Sequence, residues 1–262
     1  MIPVAPFRKG GNITMNLGLN GKHVLITGAS DGFGKALAQV LSEEGTHLTL
    51  HDLPQKRDKL KELCESLPSA DYACADLADA EQVRNLFVSV NNNCPLDGLV
   101  NNAAVWPTAY VREMTTTSFE STLAINLTAP FVLCREFVIE LEKKAAKGKI
   151  VNMVSQAAFN GSTSGHAHYA ASKAGLVSFS ISLAREVASF GINVNCVAPG
   201  MMRTPMNRDA LMKREDEYIS RIPLGRIAEP REVAYAVAFL LSDKSDYITG
   251  ATIDVTGGML MR

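Results

Sequence analysis

Cysteine is scarce and scattered in this sequence. Cys64, Cys74, Cys94, Cys134 and Cys196 are the only five, and no two form a Cys-x-x-Cys pair. That argues against a disulfide framework and against a zinc site, so no metal is expected, and it points to a reducing cytoplasm. An excess of one charge is also lacking. The 26 basic and 27 acidic side chains leave a net charge of −1 without a long run of either sign. Nothing in that balance calls for nucleic acid or an anionic membrane surface as a partner. Aromatics make up only 6% of the chain. No stretch reads as long and apolar enough to cross a membrane. The N-terminus carries Arg8 and Lys9 but no apolar run behind them, so a secretory signal is not supported.

What remains is a chain of 262 residues, enough for one large domain. Residues 1–20 read as a flexible tail, and Met15 offers an alternative start. From residue 21 to 262, short β-rich runs alternate with amphipathic helical stretches. Strands are expected at 23–27, 47–51, 98–101, 149–154, 192–197 and 252–255. Helices are expected at 34–44, 54–66, 115–146, 169–190 and 230–242. Continuous apolar strands separated by helices imply a parallel sheet covered on both faces. With no linker, composition break or repeat, the expected fold class is α/β, a single doubly wound domain.

The first strand runs into Thr27-Gly28-Ala29-Ser30-Asp31-Gly32-Phe33-Gly34, which opens the first helix. Glycines there let backbone amides approach a pyrophosphate, and the helix N-terminus offers it unpaired N–H groups. Asp52 ends the second strand, where a carboxylate hydrogen-bonds the adenosine ribose hydroxyls of NAD and repels a 2′-phosphate. Asp31 adds a second negative charge, and Leu53 follows in place of a basic residue. Asp52 also suits the cap of the next helix. On charge, NAD is expected and NADP ranks second.

Tyr169 and Lys173 stand four apart in a helix-compatible stretch, which places them on one face. A phenol ordinarily keeps its proton until about pH 10, but a neighbouring ammonium favours the phenolate. Alone, such a pair is more often packing plus solvated charge. Downstream of a dinucleotide turn it gains weight as a proton-transfer pair.

Together these segments resemble the classical short-chain dehydrogenase/reductases, in the branch of the 3-oxoacyl carrier-protein reductases, from about residue 20 to the C-terminus. The resemblance implies a Rossmann-type domain with Gly28, Ser30, Asp31, Gly32, Phe33, Gly34 and Asp52 around the cofactor. It adds Asp76 and Leu77 at the adenine, and Asn102 and Ala103 within Asn101-Asn102-Ala103-Ala104. In that element Ala104 replaces the usual glycine. Pro199, Gly200, Met202 and Thr204 would meet the nicotinamide end. By the same resemblance Tyr169 is the acid/base, and Lys173 lowers its pKa and holds the ribose. Ser155 orients the reacting oxygen, and Asn126 positions a water near the lysine. Ser155 and Tyr169 lie one residue further apart than is commonest in the family.

Substrate contacts are expected from Ser155, Tyr169, Gln156, Trp106 and His166, with His168 a further candidate and at least one histidine facing solvent. Such a polar set suits a sugar, polyol or hydroxy acid. Reduction of 3-oxoacyl carrier protein with NADPH ranks second, because the stretch 184–200 is very like those enzymes. Against it stand Asp31, Asp52 and Leu53, and Phe190 where a basic docking residue is expected. A dinucleotide-binding sensor without turnover is the remaining alternative. The family likeness and two apolar surfaces, the long helices and the C-terminal tail, imply a homotetramer.

Overall fold

The computed structural model describes residues 16–162 and 164–262. One parallel sheet organises them, built from β1 (His23–Thr27), β2 (His47–Asp52), β3 (Ala70–Cys74), β4 (Gly98–Asn101), β5 (Gly148–Met153), β6 (Ile192–Pro199) and β7 (Thr252–Val255). Their order across the sheet is β3-β2-β1-β4-β5-β6-β7. The chain starts in the middle, winds to one edge, then crosses to the other half between β3 and β4. That reversal sits between β1 and β4, and it leaves a crevice at the carboxyl ends of these strands.

Helices cover both faces. On one side α1 (Gly32–Glu43), α2 (Arg57–Glu65) and α9 (Pro230–Leu241) share a core with Leu37, Leu41, Leu60, Val233 and Val237 fully buried. On the other lie α3 (Ala80–Asn93), α5 (Ala129–Lys144) and α7 (Ala167–Val187), around Phe87, Leu133, Phe137 and Leu183. The starts of these helices are marked chemically. Asp79 accepts from the N–H groups of Glu81 and Gln82 to cap α3, and Glu229 with Glu232 forms a capping box at α9 behind Pro230.

Several expectations change. Part of the tail expected over 1–20 lies outside the described residues, but Leu19 within it is buried in the core and the Leu17 carbonyl accepts from the Asp243 N–H. Ordered structure therefore begins before residue 21. β3 was not anticipated: it is an edge strand whose Asp71 and Tyr72 face solvent, so no apolar run announces it.

The helical run from Thr116 to Lys144 is long and apolar enough, by length and composition, to span a bilayer. This corrects the reading that no stretch qualifies. Half of its apolar window is packed inside the protein. The run is α4 (Thr116–Leu123), a π-helical turn at Ala124–Thr128, then α5. Pro130 accounts for the wide turn: it has no N–H for the carbonyl four residues back, and its ring crowds that carbonyl in an α-helix. The residue four back is Asn126.

Candidate active site

A cleft of about 790 Å³ opens at the carboxyl ends of the strands. Its cofactor half starts at the turn between β1 and α1. Gly28 has φ +67°, and a Cβ there would sit 2.8 Å from the Ala103 Cα. A Cβ on Gly34 would collide with the Gly28 carbonyl. The turn is thus closed against side chains on its inner side. Asn102 fastens it, its amide donating to the carbonyls of Thr27 (2.8 Å) and Gly28 (2.9 Å). The Thr27 hydroxyl oxygen in return accepts from the N–H groups of Asn102 and Ala103, both at 3.0 Å.

No side chain caps α1, since Asp31 makes no such bond. The first-turn amides of Gly32, Phe33 and Gly34 are therefore left for an anion. A glycine-lined cradle below a free helix N-terminus fits the pyrophosphate of a nicotinamide dinucleotide. The other cofactor candidates line the same cleft, including Asp76 and Leu77 beyond β3 and Pro199, Gly200, Met202 and Thr204 after β6.

Ser30 is the exception. It is buried and does not line the cleft; its hydroxyl donates to Asp52 at 2.6 Å and its N–H to the same oxygen at 3.2 Å. Ser30 thus orients the carboxylate expected at the ribose. The second oxygen of Asp52 accepts from the Leu53 N–H at 2.9 Å.

The charge argument for NAD also needs correction. Lys56, not singled out in the sequence, lies in the cleft and donates to Asp31 at 2.8 Å, with Lys59 at 3.8 Å. Asp31 is therefore neutralised locally and adds no net repulsion to that of Asp52. Lys56 sits one turn into the segment after Asp52, and that spacing was the available signal.

The chemical half of the cleft is carried by β5 and α7. Ser155 follows β5 and lines the cleft with Tyr169; its hydroxyl oxygen accepts from the Ala157 N–H at 3.2 Å. Lys173, one turn along α7 from Tyr169, is buried and donates to the Met153 carbonyl at 2.7 Å. Its Nζ lies 5.8 Å from the centre of the Tyr169 ring. Burial holds the Tyr169 phenol above its ordinary pKa, with the neighbouring Ser155 hydroxyl pulling the other way. The expected lowering by Lys173 is not what this arrangement produces. Burial instead pushes the lysine itself down to about 8.

Asn126 does not line the cleft and is fully buried. Its amide donates to the Val105 carbonyl (3.0 Å) and the Ser172 hydroxyl (3.1 Å), and its oxygen accepts from the Val105 N–H (2.9 Å). The side chain is a clamp between the loop after β4 and α7.

Trp106 stacks on His166 with ring centres 4.1 Å apart and meets Tyr169 edge-on at 6.5 Å. His166 Nδ1 donates to the Pro107 carbonyl at 2.8 Å. Both histidines are buried, against the expectation that one faces solvent. His168 makes no hydrogen bond among the described residues. Gln156 lines the cleft, but its amide donates to the Met259 sulfur at 3.2 Å and its oxygen is covered and unpartnered. Residues not foreseen complete the walls, Met201, Met206, Arg221 and Met259, together with Tyr218 from the helical stretch 207–219 expected there from sequence.

A second polar cluster, His23, His47 and Cys94, gathers at the opposite end of the sheet with ligand atoms within 4.8 Å of one another. His23 is already satisfied there. Its Nδ1 faces the carbonyls of Cys94 (2.9 Å) and Pro95 (3.2 Å), and its Nε2 the Thr49 hydroxyl (2.8 Å).

Comparison with known proteins agrees with this architecture. The enoyl-(acyl carrier protein) reductase family model matches residues 28–260. The 3-oxoacyl-[acyl-carrier-protein] reductase FabG of Rickettsia conorii is 40% identical over 244 residues, covering 93% of this chain and 98% of that protein. A proposed NAD(P)-dependent gluconate 5-dehydrogenase from Beutenbergia cavernae, solved with NADP at low occupancy, superposes with a TM-score of 0.88. It is 32% identical, covering 93% of this chain and 98% of its own. A short-chain glucose/ribitol dehydrogenase from Brucella melitensis gives a TM-score of 0.87 at 33% identity, covering 95% and 100%. With its parallel sheet, glycine cradle and Ser–Tyr–Lys cleft, the chain belongs to the short-chain dehydrogenase/reductase family, as an NAD(P)-linked oxidoreductase of CH–OH groups.

Proposed function

We propose that this protein reduces 3-oxoacyl thioesters at the expense of a reduced nicotinamide dinucleotide. The observation that carries the reading is the 40% identity to a 3-oxoacyl carrier-protein reductase along nearly the whole of both chains. The cleft supports it. Trp106, Pro107, Met201, Met206 and Met259 give the substrate half apolar surface for an acyl chain, alongside the polar Gln156, Asn160 and His166. This reverses the order of the two substrate readings drawn from sequence.

When bound, the cofactor supplies the hydride that attacks the 3-oxo carbon. Tyr169 gives its phenolic proton to the carbonyl oxygen in the same step. Because burial raises its pKa, the phenol is protonated at neutral pH, the form a reduction needs. Ser155, at the end of β5, donates a hydrogen bond to that oxygen and holds it against Tyr169. Lys173, which lines the cleft one turn from Tyr169, would hold the ribose of the cofactor and would return a proton to Tyr169 after turnover. Asn126 keeps the Val105 loop and α7 in register. The C3 keto group becomes a hydroxyl, and the thioester is untouched.

For the cofactor, NAD(H) is our preferred reading over NADP(H). It is supported by Asp52, whose carboxylate Ser30 orients at the ribose end, and by Lys56 being engaged with Asp31. A homotetramer is part of the same proposal. Phe119, Phe131, Ile139 and Ile181 are exposed on α4, α5 and α7, the helices expected to meet a second subunit, and light scattering tests it.

Dehydrogenation of a sugar acid or polyol is the second reading, favoured by the likeness to the two sugar dehydrogenase structures. The test is a competition: acetoacetyl thioester with NADH or NADPH in one arm, gluconate and ribitol with NAD⁺ or NADP⁺ in the other. A kcat/KM at least a hundredfold higher for the thioester is the expected result. Turnover of the polyols alone overturns the reading.

A further inference from the structure

Helix α8 (Arg208–Ser220) lies beside the chemical half of the cleft and carries its clearest unclaimed charges. Its backbone leaves helical geometry at Arg214, where φ is −145° and ψ is 31°. There the guanidinium lies over the Tyr218 ring, 5.5 Å from its centre, and donates to the Tyr218 hydroxyl at 3.1 Å. Tyr218 lines the cleft, and so does Arg221, just past the end of α8.

Two neighbouring arginines are claimed by carboxylates. Arg203 pairs with Glu215 and Glu229, and Arg226 with Glu232. Among the described residues, Arg214 and Arg221 have no carboxylate partner. The Trp106–His166 wall senses one of them: His166 is held below the ordinary histidine pKa by burial first, with smaller contributions from His168 and Arg214. One guanidinium without a carboxylate partner, that of Arg221, thus lines the cleft, and a second, that of Arg214, reaches its wall through the Tyr218 hydroxyl.

A guanidinium presents a planar fork of donors that matches a phosphate or carboxylate, and it stays charged at any working pH. A short acyl group has no anion to offer. A thioester presented on a phosphorylated arm does, at a distance from the reacting carbon.

We propose that Arg214 and Arg221 form an oxyanion site at the mouth of the cleft and hold the phosphate of the arm that presents the thioester. The proposal rests on the thioester reading above. The pantetheine backbone would then run between the apolar walls, with its phosphate on α8 and its thioester at Tyr169. This phosphate is distinct from those of the cofactor, which face the glycine turn at α1.

The test uses two acetoacetyl thioesters that differ only in the phosphate, those of pantetheine and of 4′-phosphopantetheine. The wild-type protein is expected to favour the phosphorylated thioester about tenfold in kcat/KM at low salt, chiefly through KM. The advantage shrinks as salt is raised, and inorganic phosphate competes only against the phosphorylated substrate. In Arg214→Gln/Arg221→Gln the ratio falls to about one, while Arg214→Lys and Arg221→Lys each keep part of it. Cofactor binding, followed by fluorescence, shows that the variants are folded. Equal turnover of the two thioesters by wild type, or an undiminished ratio in the double glutamine variant, overturns the site but not the reductase. Reduction of neither thioester overturns the reductase reading and the site with it.

Discussion

The Lys173 ammonium donates to the Met153 carbonyl at 2.7 Å, tying α7 to the last residue of β5. The bond fixes the helix that carries Tyr169 against the strand that leads to Ser155. It also holds a cation in a buried place, at the cost of a pKa lowered to about 8. The lysine is therefore charged below about pH 8 and neutral above it.

That sets a pH dependence. Tyr169 keeps its proton to higher pH than a free phenol, so it does not limit reduction on the alkaline side. The free-enzyme kcat/KM for reduction should fall above about pH 8 as Lys173 discharges. Lys173→Arg, which cannot lose its charge, should abolish this limb in whatever activity it retains. A limb that stays in place in that variant assigns it to another group.

Discrimination between the cofactors should follow Asp52 and Lys56. Asp52→Ala removes the carboxylate that opposes a 2′-phosphate and should raise the NADPH-to-NADH ratio of kcat/KM by about tenfold, the equivalent of roughly 1.4 kcal/mol. Lys56→Ala should shift the ratio the other way. Steady-state kinetics with both cofactors reads it directly; unchanged ratios in both variants refute the assignment.

Gly34→Ala should damage the cradle. The added methyl would meet the Gly28 carbonyl and the Ala29 Cα, both backbone, so the turn must move. A destabilisation of about 1–3 kcal/mol is expected, with cofactor affinity reduced by more than tenfold. Thermal unfolding and fluorescence titration measure the two effects separately.

Asn126→Ala should cost about 1–3 kcal/mol, since it strands the half-buried Val105 N–H and carbonyl and frees Ser172. Turnover should fall with it, because the loop after β4 forms part of the cleft wall. Asn126→Asp keeps the acceptor for the Val105 N–H but turns a second acceptor onto the Val105 carbonyl in a buried place, and should be no more stable than the alanine variant. Chemical denaturation of the three proteins provides the comparison.

Much of this was legible from the residues. The apolar strands at 23–27 and 98–101 appear with the bounds read from sequence, because strands buried on both faces are written as continuous apolar runs. Edge strand β3 was not legible for the converse reason: Asp71 and Tyr72 face water. Tyr169, Lys173 and Ser155 were found because chemistry fixes their spacing and order. The roles of Ser30 and Asn126 were less visible, since both act through partners far along the chain, Asp52 and Val105. Lys56 was missed because its meaning depends on which carboxylate it meets. The substrate walls come from Met201, Met206, Tyr218 and Met259, ordinary apolar residues until the fold gathers them.

The central claim is that Tyr169 delivers the proton in a hydride reduction of a 3-oxoacyl thioester. Its most direct test is oxidation of NADH or NADPH by acetoacetyl thioester, followed by absorbance, in wild type and Tyr169→Phe, with cofactor affinity measured on both. The account predicts a loss of at least a hundredfold in kcat for the variant and cofactor binding within a few-fold of wild type. Equal turnover by the two proteins would contradict it.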